Sequence, residues 1–214
     1  MPWVTHPQHA ESMRFSAGTP SAERAYDLQI VNEALPFRSH HMATHLKPQD
    51  LVLALKLVAL SSAEWTQPGV ARSLHVSAGE VNHGLKRLAA CHLYLAAERR
   101  IVRASLQELL VSGLRYVFPA QLGLIGDGMP TAFSAAPLAE KLRLGDEDRV
   151  VWLASGAAAT ARGRVIDPLY PSAPAAAAED PLLHELLALA DTLRVGRARE
   201  RSLARTELAK RLAA

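Results

Sequence analysis

Apolar residues recur every three or four positions in three successive stretches of the chain, which is the spacing of one face of a helix. Each stretch opens with a helix start signal: Pro48 in the first, Thr66 as an N-cap in the second and Ser77 as an N-cap in the third. Glu80 follows Ser77 at the spacing of a capping box, in which the two residues satisfy each other's backbone donors. The pattern therefore predicts three short helices before Cys91.

Two strand-like runs follow the third helix. Leu93-Tyr94-Leu95 and Ile101-Val102 are separated by residues 96–100, and this predicts a small hairpin. A further helix, capped by Ser105, is predicted to end at Phe118-Pro119. Residues 119–137 are rich in Gly and Pro and are predicted to be a loop, with turn positions at Gly123, Gly126 and Gly128.

The last third of the chain predicts a second hairpin and two helices. Val150–Leu153 and Arg164–Ile166 form the hairpin, and residues 168–178 are predicted to be a linker. An apolar helix begins near Asp180, is interrupted at Gly196, and is followed by a basic helix. With only 5% aromatic residues and abundant Ala and Leu, the chain is predicted to be mainly α. The predicted divisions are a poorly ordered extension (1–46), a winged helix-turn-helix domain (47–118), a Pro/Gly-rich segment (119–178) and C-terminal helices (179–214).

The succession of helix, helix, tight turn, helix and short hairpin is the order of a winged helix-turn-helix. Leu74 ends one helix, Val76 is predicted to plug the core between the two, and Ser77 begins the next. Gly84 lies in the middle of the third helix, where glycine costs about 1 kcal/mol relative to alanine. We expect it to allow close packing against the second helix.

Over residues 48–104 the chain resembles the MarR-like winged helix-turn-helix transcriptional regulators. The likeness is carried by the run TQPGVARSLHVSAGEVNHGLKRLAACHLYL and the hairpin sequence ERRIVRA. It implies a DNA-binding domain whose third helix enters the major groove. Members usually carry a glycine just before the first hairpin strand, where this chain has His92.

The outer side of the third helix carries candidate DNA contacts, because Val81 and Leu85 face inward. Asn82 can exchange two hydrogen bonds with an adenine edge, and Lys86 can reach a guanine or a phosphate. The residues predicted to face the major groove are Ser77, Gly79, Asn82, His83, Lys86 and Arg87. Arg99 and Arg100 are predicted to lie on the hairpin near the DNA backbone.

The charge distribution favours the same surface. Residues 68–104 contain six basic and two acidic side chains, a net charge of +4 that exceeds the +3 of the whole chain. The sequence therefore favours a sequence-specific regulator of transcription that binds double-stranded DNA. The alternative is a non-enzymatic adaptor that uses a winged helix to hold another protein, in a toxin–antitoxin or mobile-element system.

Enzymatic and metal sites find little support in the sequence. The single cysteine, Cys91, excludes an internal disulfide and a cysteine-based zinc site, and its neighbour His92 would not face it on a helix. His40, His41 and His45 are expected to lie in a solvated tail rather than to bind a metal. We therefore expect no enzyme activity and no cofactor.

Partners and location follow from the apolar segments. No apolar run reaches the ~18–20 residues needed to cross a bilayer, and the first residues lack a secretory pattern, so a cytoplasmic protein without membrane contact is expected. The helix around Leu182–Leu193 has too broad an apolar face to be left in water, so it is expected to pack on the rest of the chain or on a second copy. The second copy is favoured, which predicts a homodimer through the terminal helices. The basic helix after it is expected to contact DNA backbone, an acidic partner or water. Residues 119–170 are interpreted either as a docking or sensing segment or as irregular packing against the preceding helix.

Overall fold

The computed structural model describes residues 45–61, 64–143 and 145–213. Apart from His45 and Leu46, the predicted N-terminal extension, with His40 and His41, lies outside these described residues. The helices are α1 (Pro48–Leu60), α2 (Gln67–Ser73), α3 (Ala78–Ala90), α4 (Arg103–Glu108), α5 (Leu114–Val117), α6 (Ala173–Glu179), α7 (Pro181–Val195) and α8 (Ala198–Ala213). The strands are β1 (Tyr94–Leu95), β2 (Arg100–Ile101), β3 (Ile125–Pro130), β4 (Val150–Leu153) and β5 (Ala161–Val165). The described chain is thus mainly helical, with one small hairpin and one three-stranded sheet.

The predicted starts of the early helices are confirmed by their hydrogen bonds. The backbone N–H of Gly69 donates to Thr66 Oγ1 at 3.1 Å. The N–H of Glu80 donates to Ser77 Oγ at 3.1 Å, and the N–H of Ser77 donates to Glu80 Oε2 at 3.0 Å, which completes the capping box. The prediction for Ser105 is wrong, because α4 begins at Arg103 and continues through a π-helical turn into α5.

Helix α1 is largely buried among the described residues. Its residues 51–58 are all buried, and it packs against both α3 and α7. Lys56, although buried, donates to Asp180 Oδ2 at 2.8 Å, and Asp180 also caps α7 by accepting from the N–H groups of Leu182 and Leu183. Burial acts to raise the pKa of Asp180, but Lys56 and the Leu183 N–H outweigh it and lower that pKa. One carboxylate therefore joins α1 to the start of α7.

Gly84 allows a close helix contact, but with α1 and not with α2 as predicted. A Cβ atom at this position would lie 2.8 Å from Leu53 Cδ2 and 3.1 Å from Asp50 Oδ1. The glycine thus lets the middle of α3 approach the first turns of α1, and this contact sets the position of α3.

The turns on both sides of α3 place histidines in a left-handed conformation. His75 has a φ of 53° and follows the end of α2, and His92 has a φ of 58° just before the hairpin. The N–H of Leu93 then returns to the carbonyl of Leu88 at 2.8 Å, closing the end of α3. His92 therefore occupies a backbone conformation that glycine adopts at lower cost.

Replacing His92 by glycine is expected to raise the free energy of unfolding by about 0.5–1 kcal/mol, because it relieves a left-handed residue of its Cβ clash. Urea denaturation followed by circular dichroism measures this change. The matched control is His83→Gly in the middle of α3, which should lower stability by about 0.5 kcal/mol. A loss of stability in His92→Gly would contradict the expected relief of strain.

The three later strands, β3, β4 and β5, pair with one another and form a small closed barrel. β3 pairs antiparallel with both β4 and β5, and β4 pairs with β5 in parallel, with Val150 opposite Arg164. The predicted antiparallel hairpin of β4 and β5 is therefore wrong, and part of the predicted loop is strand β3. Gly126 and Gly128 are strand positions and not turns. A Cβ at Gly128 would lie 2.0 Å from the carbonyl oxygen of Trp152, so only glycine permits this close approach of the strands.

Helix α7 is largely enclosed by its own chain, although Leu182 in its first turn is 40% exposed. Its apolar residues Leu183, Leu186, Leu187, Leu189 and Leu193 are all buried. It packs against α1, α5, α6 and α8, and α6 occupies most of the segment predicted to be a linker. Of the two expected ways to cover this apolar face, packing on the rest of the chain is therefore the one observed. The face gives no reason for dimerisation through the terminal helices.

A cluster of polar side chains is buried between α7 and the strands β3 and β4 of the barrel. Asp191 accepts hydrogen bonds from Thr131 Oγ1 at 2.9 Å and from Trp152 Nε1 at 2.8 Å, and it forms an ion pair with Arg194 at 2.7 Å. Burial raises the pKa of Asp191, and Arg194 opposes this shift. Arg194 also donates to the carbonyls of Phe118 and Asp167, so the cluster joins α7 to the barrel and its flanking segments.

Much of the charge on the basic helix α8 is used within the molecule. Glu207 accepts from Lys141, Lys210 and Arg211, and these bonds lower its pKa to about 2. Arg211 also pairs with Glu185 at 2.7 Å. The described residues form one compact unit, so the predicted boundaries at 118 and 178 fall inside it.

Candidate nucleic-acid interface

Helix α3 is held by one buried side and presents the other to solvent. Val81, Leu85 and Leu88 are buried against the core, and Gly84 lies against α1. The turn before it is tied back by the N–H of Val76, which donates to the carbonyl of Ala71 at 3.0 Å. Val76 itself is partly buried against the core. These contacts fix the direction in which the outer side of α3 points.

The outward side of α3 carries most of the residues predicted from the sequence. Ser77, Gly79, His83 and Lys86 are exposed, and Asn82 is half-buried. His83 and Lys86 make no ion pair with any other described residue. The hydroxyl oxygen of Ser77 accepts the capping bond and keeps its own proton available for donation. The side chains on this side are small at the start of the helix and polar further along. A ligand can therefore approach the start of the helix closely.

Arg87 is not part of this surface, and the prediction that it faces a groove is wrong. Its Nε and Nη2 atoms donate to the two carboxylate oxygens of Asp50 at 2.7 and 2.6 Å. The side chain of Arg87 is only 14% exposed, and that of Asp50 is 1% exposed. Asp50 also accepts from the N–H of Lys47 at 2.8 Å, and its hydrogen bonds to Arg87 raise the pKa of the guanidinium. Arg87 therefore joins α3 to α1.

The two hairpin arginines differ in their surroundings. The guanidinium of Arg99 lies 4.5 Å from the ring centroid of Trp65 and donates to the Trp65 carbonyl at 2.7 Å. Arg99 has a φ of 51°, which turns the chain at the end of the hairpin loop. Arg100 instead pairs with Glu98, so its charge is locally compensated. Of these two arginines, only Arg99 is both held in position and without a carboxylate partner in the described chain.

A groove between α3 and the hairpin brings several of these side chains together. Asn82, Lys86 and Arg99 line it. Sequence reasoning missed the other polar and aromatic side chains that line it, which are Trp65, Gln67 and Tyr94. Burial raises the pKa of Tyr94 although Arg99 opposes the shift, so its hydroxyl stays protonated at neutral pH. Trp65 could have been found from the sequence, because it directly precedes the N-cap residue Thr66 and so lies at the start of α2.

The basic excess of residues 68–104 is smaller on the surface than in the sequence. Arg87 and Arg100 are paired with carboxylates, and Arg103 donates to the carbonyl of Leu212. The cations in this range without a carboxylate partner in the described chain are Arg72, Lys86 and Arg99, together with Arg103. Four of the six basic side chains in this range therefore keep their positive charge available.

Residues 45–61, 64–143 and 145–213 contain no group of three His, Cys, Asp or Glu side chains that could hold a metal ion. None of the helices in these ranges has the length and apolarity to cross a membrane.

Comparisons with known proteins add no assignment: no family model, no curated protein and no solved structure matches this chain. The function must therefore be argued from the geometry of this surface.

Proposed function

We propose that residues 47–118 are a winged helix-turn-helix domain and that the protein is a sequence-specific regulator of transcription that binds double-stranded DNA. The observation that carries this proposal is the outward side of α3, where Gly79, Asn82, His83 and Lys86 point away from the core beside the hairpin. Within the proposal α3 is the recognition helix, β1 and β2 form the wing, and the protein acts in the cytoplasm.

The dimensions of α3 suit this role. Thirteen residues make a helix of about 20 Å, and the major groove is about 12 Å wide, which admits one helix. Ala78 and Gly79 at its start have little or no side chain, so the helix can approach base edges closely. Asn82 and Lys86 follow one turn apart and supply the donors and acceptors that distinguish one base pair from another.

The hairpin supplies a fixed positive group beside the recognition helix. Arg99 is held by the ring and the carbonyl of Trp65, so less side-chain entropy is lost when it meets a phosphate. In the proposed complex, Arg99 contacts the DNA backbone, and Arg72 near the end of α2 does the same. These contacts position the helix but do not read the sequence.

Asn82→Ala is expected to weaken binding to the preferred DNA site by about 1–3 kcal/mol, or roughly 5- to 150-fold, with little effect on random DNA. The preferred site is first obtained by selecting bound fragments from a random DNA pool. Fluorescence anisotropy then measures the affinity of each variant for this site and for a scrambled duplex. The physical reason is the loss of a two-bond contact with one base, which random DNA does not provide.

The matched control is Arg99→Ala, which removes a phosphate contact instead of a base contact. It should weaken both duplexes alike and make the slope of log affinity against log salt shallower by about 0.9. If Asn82→Ala leaves the ratio of specific to random affinity unchanged, α3 does not read bases. If the selection yields no enriched sequence, sequence-specific binding is excluded.

The adaptor function is the second candidate, and one observation favours it. Leu95, Ala96 and Ala97 at the hairpin are exposed and apolar, and Arg100 beside them is neutralised by Glu98. An apolar, weakly charged hairpin suits a protein partner better than a phosphate backbone. A protein whose affinity for DNA is weak and identical for every sequence would support this candidate over the first.

A further inference from the structure

A cavity of about 640 Å³ lies between the barrel and the junction of α7 with α8. This volume is within the range of about 300–1,000 Å³ that is usual for small-molecule sites. The apolar part of its wall comes from partly buried side chains, among them Leu122, Phe133, Leu142 and Val195. Such a wall can cover the carbon skeleton of a small ligand, and the charged groups around it decide what else the ligand must carry.

Glu200, in the first turn of α8, brings a carboxylate without a partner to this cavity. Its Oε2 atom is buried and accepts no hydrogen bond from any residue of the described chain. The turn before it is tight, because a Cβ atom at Gly196 would lie 3.2 Å from Glu200 Cβ, and Arg201 donates to the Gly196 carbonyl. A buried oxygen without a donor is costly, and a donor supplied by a ligand removes that cost.

Arginines from the start of α8 and from β5 line the same cavity. Arg197 and Arg199 are exposed and form no ion pair within the described chain. Arg164 donates from Nε and Nη2 to two carbonyls of the segment before β3, at 3.3 and 3.0 Å, so its guanidinium is held in place. It also has no carboxylate partner in the part of the chain that the structure describes. These groups can bind a negatively charged group of a ligand.

The remaining charged residues of the cavity carry both signs. Arg143 adds positive charge, whereas the exposed Glu147 and Asp148 add negative charge. Lys141 also lines the cavity, but it is paired with Glu207. A ligand with charge of a single sign would lie beside like charges here, whereas a zwitterion finds partners for both of its groups.

We propose that this cavity binds a small zwitterion with an apolar body, the class that includes apolar α-amino acids and their dipeptides. The ammonium group of the ligand donates to Glu200, since an ammonium has three N–H donors and no acceptor. Its carboxylate accepts hydrogen bonds from Arg197 and Arg199, and its apolar part packs against Phe133. Binding at this cavity needs neither α3 nor DNA.

The proposal is tested by NMR titration of the full chain with phenylalanine, leucine, valine and the dipeptides that combine them. We expect at least one of these compounds to bind with a dissociation constant of about 1 mM or lower. Analogues of the bound compound then separate its charged groups. For phenylalanine, 3-phenylpropionate lacks the ammonium group and 2-phenylethylamine lacks the carboxylate, and each should bind more weakly by about tenfold or more.

Two variants assign the charged groups of the ligand to their partners. Glu200→Gln keeps the shape of the side chain but removes its charge, so it should weaken binding of the zwitterion and the amine by about tenfold or more and leave the carboxylate analogue unaffected. Arg197→Ala together with Arg199→Ala should weaken the zwitterion and the carboxylate analogue and leave the amine unaffected. The control is Arg205→Ala, an exposed arginine of α8 outside the cavity, which should change none of these affinities.

Either of two results overturns the proposal: no compound of the panel binds, or binding is unchanged by both Glu200→Gln and the double arginine variant. Melting curves of the variants check that each is folded. If a variant is unfolded, the two analogues on the wild type still decide whether both charged groups are needed. Because no DNA is present, this proposal and the proposed DNA binding can fail separately.

Discussion

Arg87→Ala is expected to lower the free energy of unfolding by about 3–5 kcal/mol, which is a large part of the stability of an ordinary domain. The guanidinium is the bidentate partner of Asp50, whose side chain is almost completely buried. Removing Arg87 leaves that carboxylate in the protein interior with only the N–H of Lys47 as a donor. The substitution also detaches the middle of α3 from α1 and so disturbs the position of α3, the helix that we propose reads DNA.

The neighbouring variant Lys86→Ala is the matched control, because Lys86 is exposed and unpaired within the described chain. It should change stability by less than about 0.5 kcal/mol and should weaken DNA binding instead. Chemical denaturation and anisotropy on the same two proteins separate the roles. If Arg87→Ala unfolds like the parent and weakens DNA binding, Arg87 belongs to the proposed DNA surface after all.

Asp191→Leu is expected to destabilise the protein by a similar 3–5 kcal/mol, seen as a fall in the melting temperature of roughly 6–20 °C. The carboxylate of Asp191 accepts hydrogen bonds from Thr131, Trp152 and Arg194, and it is buried away from water. Leucine accepts none of these hydrogen bonds, so the charge of Arg194 and two neutral donors would stay buried without this partner.

A double-mutant cycle with Arg194→Leu tests the cause of this loss. If the main cost is the unpaired charge, then Asp191→Leu together with Arg194→Leu should be clearly less destabilised than the sum of the single variants. The hydrogen bonds from Arg194 to the carbonyls of Phe118 and Asp167 are lost in both backgrounds and cancel in the cycle. Strictly additive single effects would show that Asp191 and Arg194 do not act as a pair.

The candidate site was predictable to the extent that it depends on helical periodicity. Asn82, His83 and Lys86 are on the outer side of α3 because the apolar spacing of Val81, Leu85 and Leu88 places them there. Arg87 lies at the flank of the same helix, between the buried and the exposed side. The direction of its side chain there depends on which element packs beside α3. Asp50 is 37 positions earlier in the chain, and no local pattern connects the two residues. The same holds for Trp65 and Arg99, which meet only when the hairpin folds back.

The sequence by itself determined the elements that depend on neighbours within a few positions. The caps at Thr66, Ser77 and Asp180, the three early helices and the first hairpin all follow from short-range hydrogen bonds and side-chain spacing. Only the tertiary structure decided the parallel pairing of β4 with β5, the enclosure of α7 and the partner of Arg87. The physical reason is that these features join segments far apart in the chain. Which apolar face meets which, and which charge finds its partner, is fixed only when all the segments pack into one core.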